Sequence, residues 1–229
     1  LSSSTDQDKL YKPKDSYRIR GADGRKSLTA GTNLPNGVII HYFLPNFNKE
    51  SDEVNLSIHS SDGELIKEFS NKSKDNSIKV KKGGNSFVWD MKYPGAKRLD
   101  NMVLWGADFS GAKTVPGDYI VKLSVNDSEL TQNFTIHKDP TSEGSIEDIK
   151  AQFEFVNEIN GVVDSAHKAI ENIRKIKKDL TKFQSDYMDN ESAKNLIQES
   201  KSIVESLDKV ENELYQTKNQ SNQDPLNYG

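Results

Sequence analysis

The chain has 229 residues, of which 33% are hydrophobic and 29% charged, with a net charge of −4 and a mean hydropathy of −0.78. A nearly balanced charge excludes the basic excess of a protein that coats nucleic acid, and no apolar run is long enough to span a membrane. The absence of cysteine excludes a disulfide scaffold, a thiol nucleophile and a thiolate metal site.

Residues 1–36 are rich in Ser, Lys, Asp and Gly. Such a segment has too little apolar surface to offset its own ordering entropy. It is expected to be an extended linker or an arm lying on a neighbouring domain, with Tyr11, Tyr17 and Ile19 as its anchors. Residues 37–140 change character. Gly37–Leu44 reads as a strand ended by Pro45. Glu53–His59 alternates, with Val54, Leu56 and Ile58 on one side and Asn55, Ser57 and His59 on the other, which is the pattern of a half-buried strand. Asp62-Gly63 supplies a hairpin turn, and Glu64–Ser70 returns. Ser77–Val80 is a weak strand, and Asn85–Asp90, Tyr119–Val125 and Glu129–Ile136 follow. About seven short strands in about a hundred residues, read as hairpin-linked throughout, predict an antiparallel β-sandwich of immunoglobulin type.

Residues 141–216 change period. Ser145 with Asp148 is a capping pair. Ile146, Ile149, Phe153, Val156, Asn160, Val163, Ala166, Ile170, Ile173, Lys177, Leu180 and Phe183 then recur at spacings of three and four, a heptad seam with polar interruptions at Asn160 and Lys177. After a polar break at 188–191, Ala193, Leu196, Ser200, Ile203, Leu207, Val210 and Leu214 form a second seam. Two helices joined by a short loop predict an antiparallel hairpin, so the content is α+β. Phe155, Ile159, Val162 and Ile176 fall on the flanks of the first seam. They call for cover by a third helix, by the sandwich or by another subunit, which makes a homo-oligomer through the helices one expected partner. Residues 217–229 form a polar tail, and the abrupt polar ends suggest a piece of a longer protein. Residues 1–141 carry 20 basic and 18 acidic groups, against 11 and 17 in residues 142–229. An acidic helical region of this kind is a solvated element and not a membrane-surface helix, which would be basic.

Residue types suited to catalysis are thinly spread. His41, His59, His137 and His167 have no ligand partner at zinc spacing. Asp6, Asp8, Asp23 and Asp62 are only fragments of a calcium loop. There is no Gly-x-Ser-x-Gly elbow, and Gly106–Gly111 lacks the Gly-Lys-Ser/Thr ending of a phosphate loop. No cofactor or metal is expected. Asp90 beside Trp89 is the one suggestive acid, and a turn contact accounts for it better than glycoside chemistry does. Tyr93, Trp105 and Phe109 lie in a long insertion, residues 91–115. Such aromatics can form a sugar platform, or they can pack against the sandwich or a partner.

Several strings taken in order carry a resemblance: Gly31–Tyr42, Asn85–Ala96, Leu104-Trp-Gly106, Pro116–Leu123, Lys138-Asp-Pro140 and Asp224-Pro-Leu-Asn-Tyr228. Together they resemble the C-terminal region of large exported bacterial proteins that carry a sortilin-like β-propeller of BNR-type repeats, often labelled glycosyl hydrolase-like. Through Asn-x-Phe-x-Trp-Asp and Pro-Gly-x-Tyr, the strand region resembles the immunoglobulin-like domain of the flagellar hook-capping protein family. The resemblance implies a non-catalytic accessory or interaction module, exported to the periplasm, cell surface or medium, that supports an upstream propeller of the same protein. It also implies that any glycosidase activity belongs to that propeller, whose Ser-x-Asp-x-Gly-x-x-Trp repeat does not occur in these residues. The alternative expectation is a carbohydrate-binding module that uses Tyr93, Trp105 and Phe109.

Overall fold

The computed structural model describes residues 6–19, 29, 34–103, 108–221 and 224. The chain divides into two compact units, Leu1–Pro94 with Gly111–Val156, and Gly95–Ser110 with Asn157–Gly229. The content is mixed: two sheets, of three and five strands, and two long helices.

The strands are β1 (Lys9–Leu10), β2 (Ser16–Arg18), β3 (Val38–Leu44), β4 (Val54–Ser60), β5 (Leu65–Ser70), β6 (Gly83–Trp89), β7 (Gly117–Val125) and β8 (Ser128–Lys138). The smaller sheet has the order β1-β3-β6 and the larger β2-β8-β7-β4-β5. All pairings are antiparallel except β2 with β8. Alternation dictates which side chains are buried, because successive residues of a strand face opposite ways. Val38, Ile40, Tyr42 and Leu44 of β3, Val54, Leu56 and Ile58 of β4, and Tyr119, Val121 and Leu123 of β7 join Trp89 and Phe134 in one apolar cluster fed by both sheets. Trp89 meets Tyr119 and Phe134 edge-on at 6.0 and 6.2 Å between ring centroids.

Three sequence expectations need correction here. The strands are not all hairpin-linked: β4–β5 and β7–β8 are, but the chain changes sheet between β3 and β4, β5 and β6, and β6 and β7. The physical reason is the shared core, which needs both sheets to be fed in turn. Ser77–Val80 makes a single bridge, Ser70 to Ser77, and no ladder, since Ile78 is its one buried side chain. Finally, the arm of residues 1–36 contributes two strands to the sheets. At two and three residues, β1 and β2 are too short to carry a periodicity.

The 91–115 insertion is closed at its base. Tyr93 donates its N–H to Ala112 O at 2.9 Å, and Thr114 donates to Met91 O at 2.7 Å. Gly111 lies so close to the opposing backbone that a Cβ there would sit 2.0 Å from Tyr93 O. Only glycine allows this approach.

Helix α1 (Ile146–Asp186) starts on a reciprocal cap: Ser145 Oγ accepts from Asp148 N at 3.0 Å, and Asp148 Oδ2 accepts from Ser145 N at 2.9 Å. Those bonds, the backbone one first, hold the Asp148 carboxyl below its usual value. A short 3₁₀ turn, Glu191–Ala193, capped by Asn190, leads into α2 (Lys194–Leu214).

Candidate functional site

The first helical seam lies where the heptad spacing puts it. Each of its positions from Ile146 to Phe183 is buried or half-buried, with Ile170 at 1% exposure. The flank residues are left in solvent: Phe155 at 63%, Ile159 at 44%, Val162 at 66% and Ile176 at 46% exposure. They recur at helical spacing and so share one side of α1.

The second seam is rotated from its predicted face. Ala193 and Ser200 are buried, but Leu196, Ile203, Val210 and Leu214 are exposed. In their place Glu211 is buried, at 4% exposure. The cause is charge. Arg174 Nε donates to Glu211 Oε1 at 2.7 Å, Lys177 Nζ donates to Oε2 at 2.9 Å, and Lys177 also pairs with Asp208. Burial opposes ionisation of Glu211, yet hydrogen bonds from Arg174 and Lys177 and their charges hold its carboxyl below the usual range. The Asp208 bond comes first among the causes that raise the Lys177 ammonium. Gln184 Nε2 donates to Ser200 Oγ at 2.9 Å, a further polar pair in the buried face. Lys177 thus occupies its seam position because acids on α2 await it. A heptad count scores apolar residues and is blind to a paired carboxylate, so it could not place Glu211.

Within the second unit, Lys97 N–H donates to Asp164 at 2.6 Å and its ammonium pairs with Glu171 at 3.0 Å. Buried His167 hydrogen-bonds Lys97 O through Nδ1. Val103 N–H donates to the Tyr215 hydroxyl at 3.3 Å. These bonds fasten residues 95–103 to side chains of α1 and to Tyr215, just past the end of α2.

Of the three aromatic candidates, Tyr93 and Phe109 are among the described residues. Tyr93 belongs to the first unit, where its ring meets Phe153 in a T-shaped contact at 4.8 Å. Phe109 belongs to the second, 6.1 Å from the His167 ring and under the Arg98 guanidinium at 4.9 Å. Trp105 lies outside the described residues. Asp90 accepts from Lys92 N at 3.1 Å. Among the remaining histidines, His59 is bonded by Ser57 and the Gly63 carbonyl, and His137 faces Asp15 at 3.4 Å. No cluster of His, Asp and Glu among the described residues is placed to hold a metal ion, and no described helix is long and apolar enough to cross a membrane.

The sequence matches no known family model and no curated protein.

Proposed function

We propose that the chain is a non-catalytic interaction module: an immunoglobulin-like β-sandwich of the hook-capping type bearing an antiparallel helical hairpin, within an exported protein that carries a sortilin-like propeller. Strand order supports the sandwich. Immunoglobulin folds place strands A, B and E on one sheet and C, F and G on the other. Read in chain order, β1, β3 and β6 take the first three places and β4, β7 and β8 the second three, with β5 added beside β4. A tyrosine at the start of strand F that bonds back to the preceding backbone is a hallmark of such domains. Tyr119 Oη donates to Val115 O at 2.5 Å, and burial pushes its hydroxyl up to about 12. Trp89 departs from the pattern, lying on the E-place strand with no disulfide beside it. The hairpin is supported by partner order: residues 174, 177 and 184 of α1 bond residues 211, 208 and 200 of α2, so one number falls as the other rises.

The observation that carries the function is the apolar side chains left uncovered on both helices. Fully burying one such side chain is worth about 1.5–3 kcal/mol, and contiguous exposed apolar surface marks association sites. In the full protein these side chains seat the propeller or a neighbouring protein; in the chain alone they pair with a second copy. Sedimentation velocity at tens of micromolar tests this against the double variant Val162→Asp/Ile203→Asp. The wild type should sediment above its 25.7 kDa monomer mass and the variant at it. A wild-type monomer at every concentration overturns the association. Turnover of a chromogenic glycoside panel by this chain overturns the non-catalytic assignment.

A further inference from the structure

A second surface, on different residues from the helices, lies where the first strand leaves its sheet. β1 pairs with β3 only at Lys9–Phe43 and Leu10–Tyr42, followed by one bond from Tyr11 N–H to His41 O at 3.0 Å. Two residues further on, where the next N–H of the ladder would fall opposite Ile39, Pro13 has none to give. The chain then joins the other sheet at Ser16, opposite Ile136. Beyond His41, no strand among the described residues pairs with the outer edge of β3. Backbone groups along a strand point alternately to its two neighbours. The His41 carbonyl points away from β6, so the N–H and C=O of Ile39 do as well. No described residue bonds them.

A cavity of about 820 Å³ runs beside this edge, with Tyr17, Ile19, Leu34, Pro35, Ile39 and Pro140 as its apolar lining. Leu34 is 81% exposed. Asn36 also lines the cavity, and its Oδ1 is buried without a hydrogen-bond donor. Lys12 and Lys14 are exposed at its margin, and no carboxylate among the described residues pairs with either. Two carboxylates also line the cavity, and both are engaged: Asp15 faces His137 at 3.4 Å, and Asp139 accepts from Thr141 N at 2.9 Å.

We propose that this groove receives an extended apolar peptide with an acidic end, added as a further strand on β3. Each part of the site calls for a part of that ligand. The edge groups of Ile39 require a backbone donor and acceptor, which a peptide strand supplies and a lipid-like molecule does not. The orphaned Asn36 oxygen requires a donor. The apolar lining accepts alternate side chains of a strand, which is how strand addition obtains its specificity. The two unpaired ammonium groups favour carboxylates at one end of the peptide.

The test is a titration of the isotope-labelled full chain with the N-acetylated peptide Thr-Val-Thr-Val-Glu-Glu, followed by the amide signals of Ile39 and His41. The expected result is saturable shifts at both, with exchange of the Ile39 amide slowed about tenfold as it gains a partner. Leu34→Asp, at an exposed position, should weaken binding about tenfold or more while leaving the fold intact. The same peptide with N-methylated valines should not bind. Absence of any shift at millimolar peptide overturns the proposal. So does equal binding of the N-methylated peptide, which would mean apolar filling without strand addition. Shifts that follow protein concentration without peptide also overturn it, because they would make a second copy the occupant.

Discussion

On β3 the alternate residues Val38, Ile40, Tyr42 and Leu44 are all buried, whereas on α2 Leu196, Ile203, Val210 and Leu214 remain in solvent and Glu211 is buried in their place. β3 and α2 thus place their apolar residues in opposite ways. In the first unit, one cluster takes up what the alternation offers, and its fold is closed by packing. In the second unit, α1 buries its apolar seam by period, but a charge network sets the inner face of α2 and apolar side chains are left exposed. A region built on packing is sensitive to lost volume. A region built on a buried ion network is sensitive to charge and pH.

The largest expected effect is in the strand unit. Trp89→Ala removes a fully buried side chain flanked by Tyr119 and Phe134 and should cost about 3–5 kcal/mol in urea unfolding. A loss below about 1 kcal/mol would mean that the site collapses freely and that packing does not close this core.

Next comes the helical network. Glu211→Ala leaves Arg174 and Lys177 without their shared carboxylate and should cost about 2–3 kcal/mol; an unchanged melting temperature would show the pairing to be incidental. The same network predicts a pH window. The Glu211 carboxyl is held below its usual 4.5, so its contribution is complete above that pH and is lost as pH falls through the folded-state value. Lys177 is held above its usual 10.5, so its contribution is complete below that pH and is lost as pH rises through the raised value. Thermal melts followed by helical circular dichroism should be flat between these limits and fall on both sides. The Glu211→Ala variant should lose its part of the acid arm and keep the part owed to the Asp148 cap.

A smaller effect separates helix start from helix packing. Ser145→Ala removes the cap on α1 and should cost about 1 kcal/mol. The smallest effect is expected on the exposed stripe. Val162→Asp and Ile203→Asp should each change stability by no more than about 0.5 kcal/mol, as measured by urea midpoints. At concentrations where the chain is a monomer, a larger loss would mean that these side chains are already covered within the chain.

Legibility in the sequence follows the same division. The alternation of Val54, Leu56 and Ile58 and the seam from Ile146 to Phe183 could be read directly, because burial there follows period alone. The flanking stripe from Phe155 to Ile176 was legible for the same reason. β1 and β2 were not, since strands of two and three residues carry no period; they exist because Leu10 fills the core and Arg18 Nε finds the Thr114 carbonyl at 2.8 Å. The inner face of α2 was not legible either, because Glu211 is buried through Arg174 and Lys177, one helix away. That no described strand pairs with β3 at Ile39 follows from Pro13, a signal present in the sequence whose meaning depends on which strand lies beside it.

The most direct measurement of the central claim is sedimentation velocity of the wild-type chain across a concentration series, beside Val162→Asp/Ile203→Asp. A mass that climbs above 25.7 kDa with concentration in the wild type, and stays at that value in the variant, is the predicted result. A wild type that remains at the monomer mass throughout, indistinguishable from the variant, would contradict it.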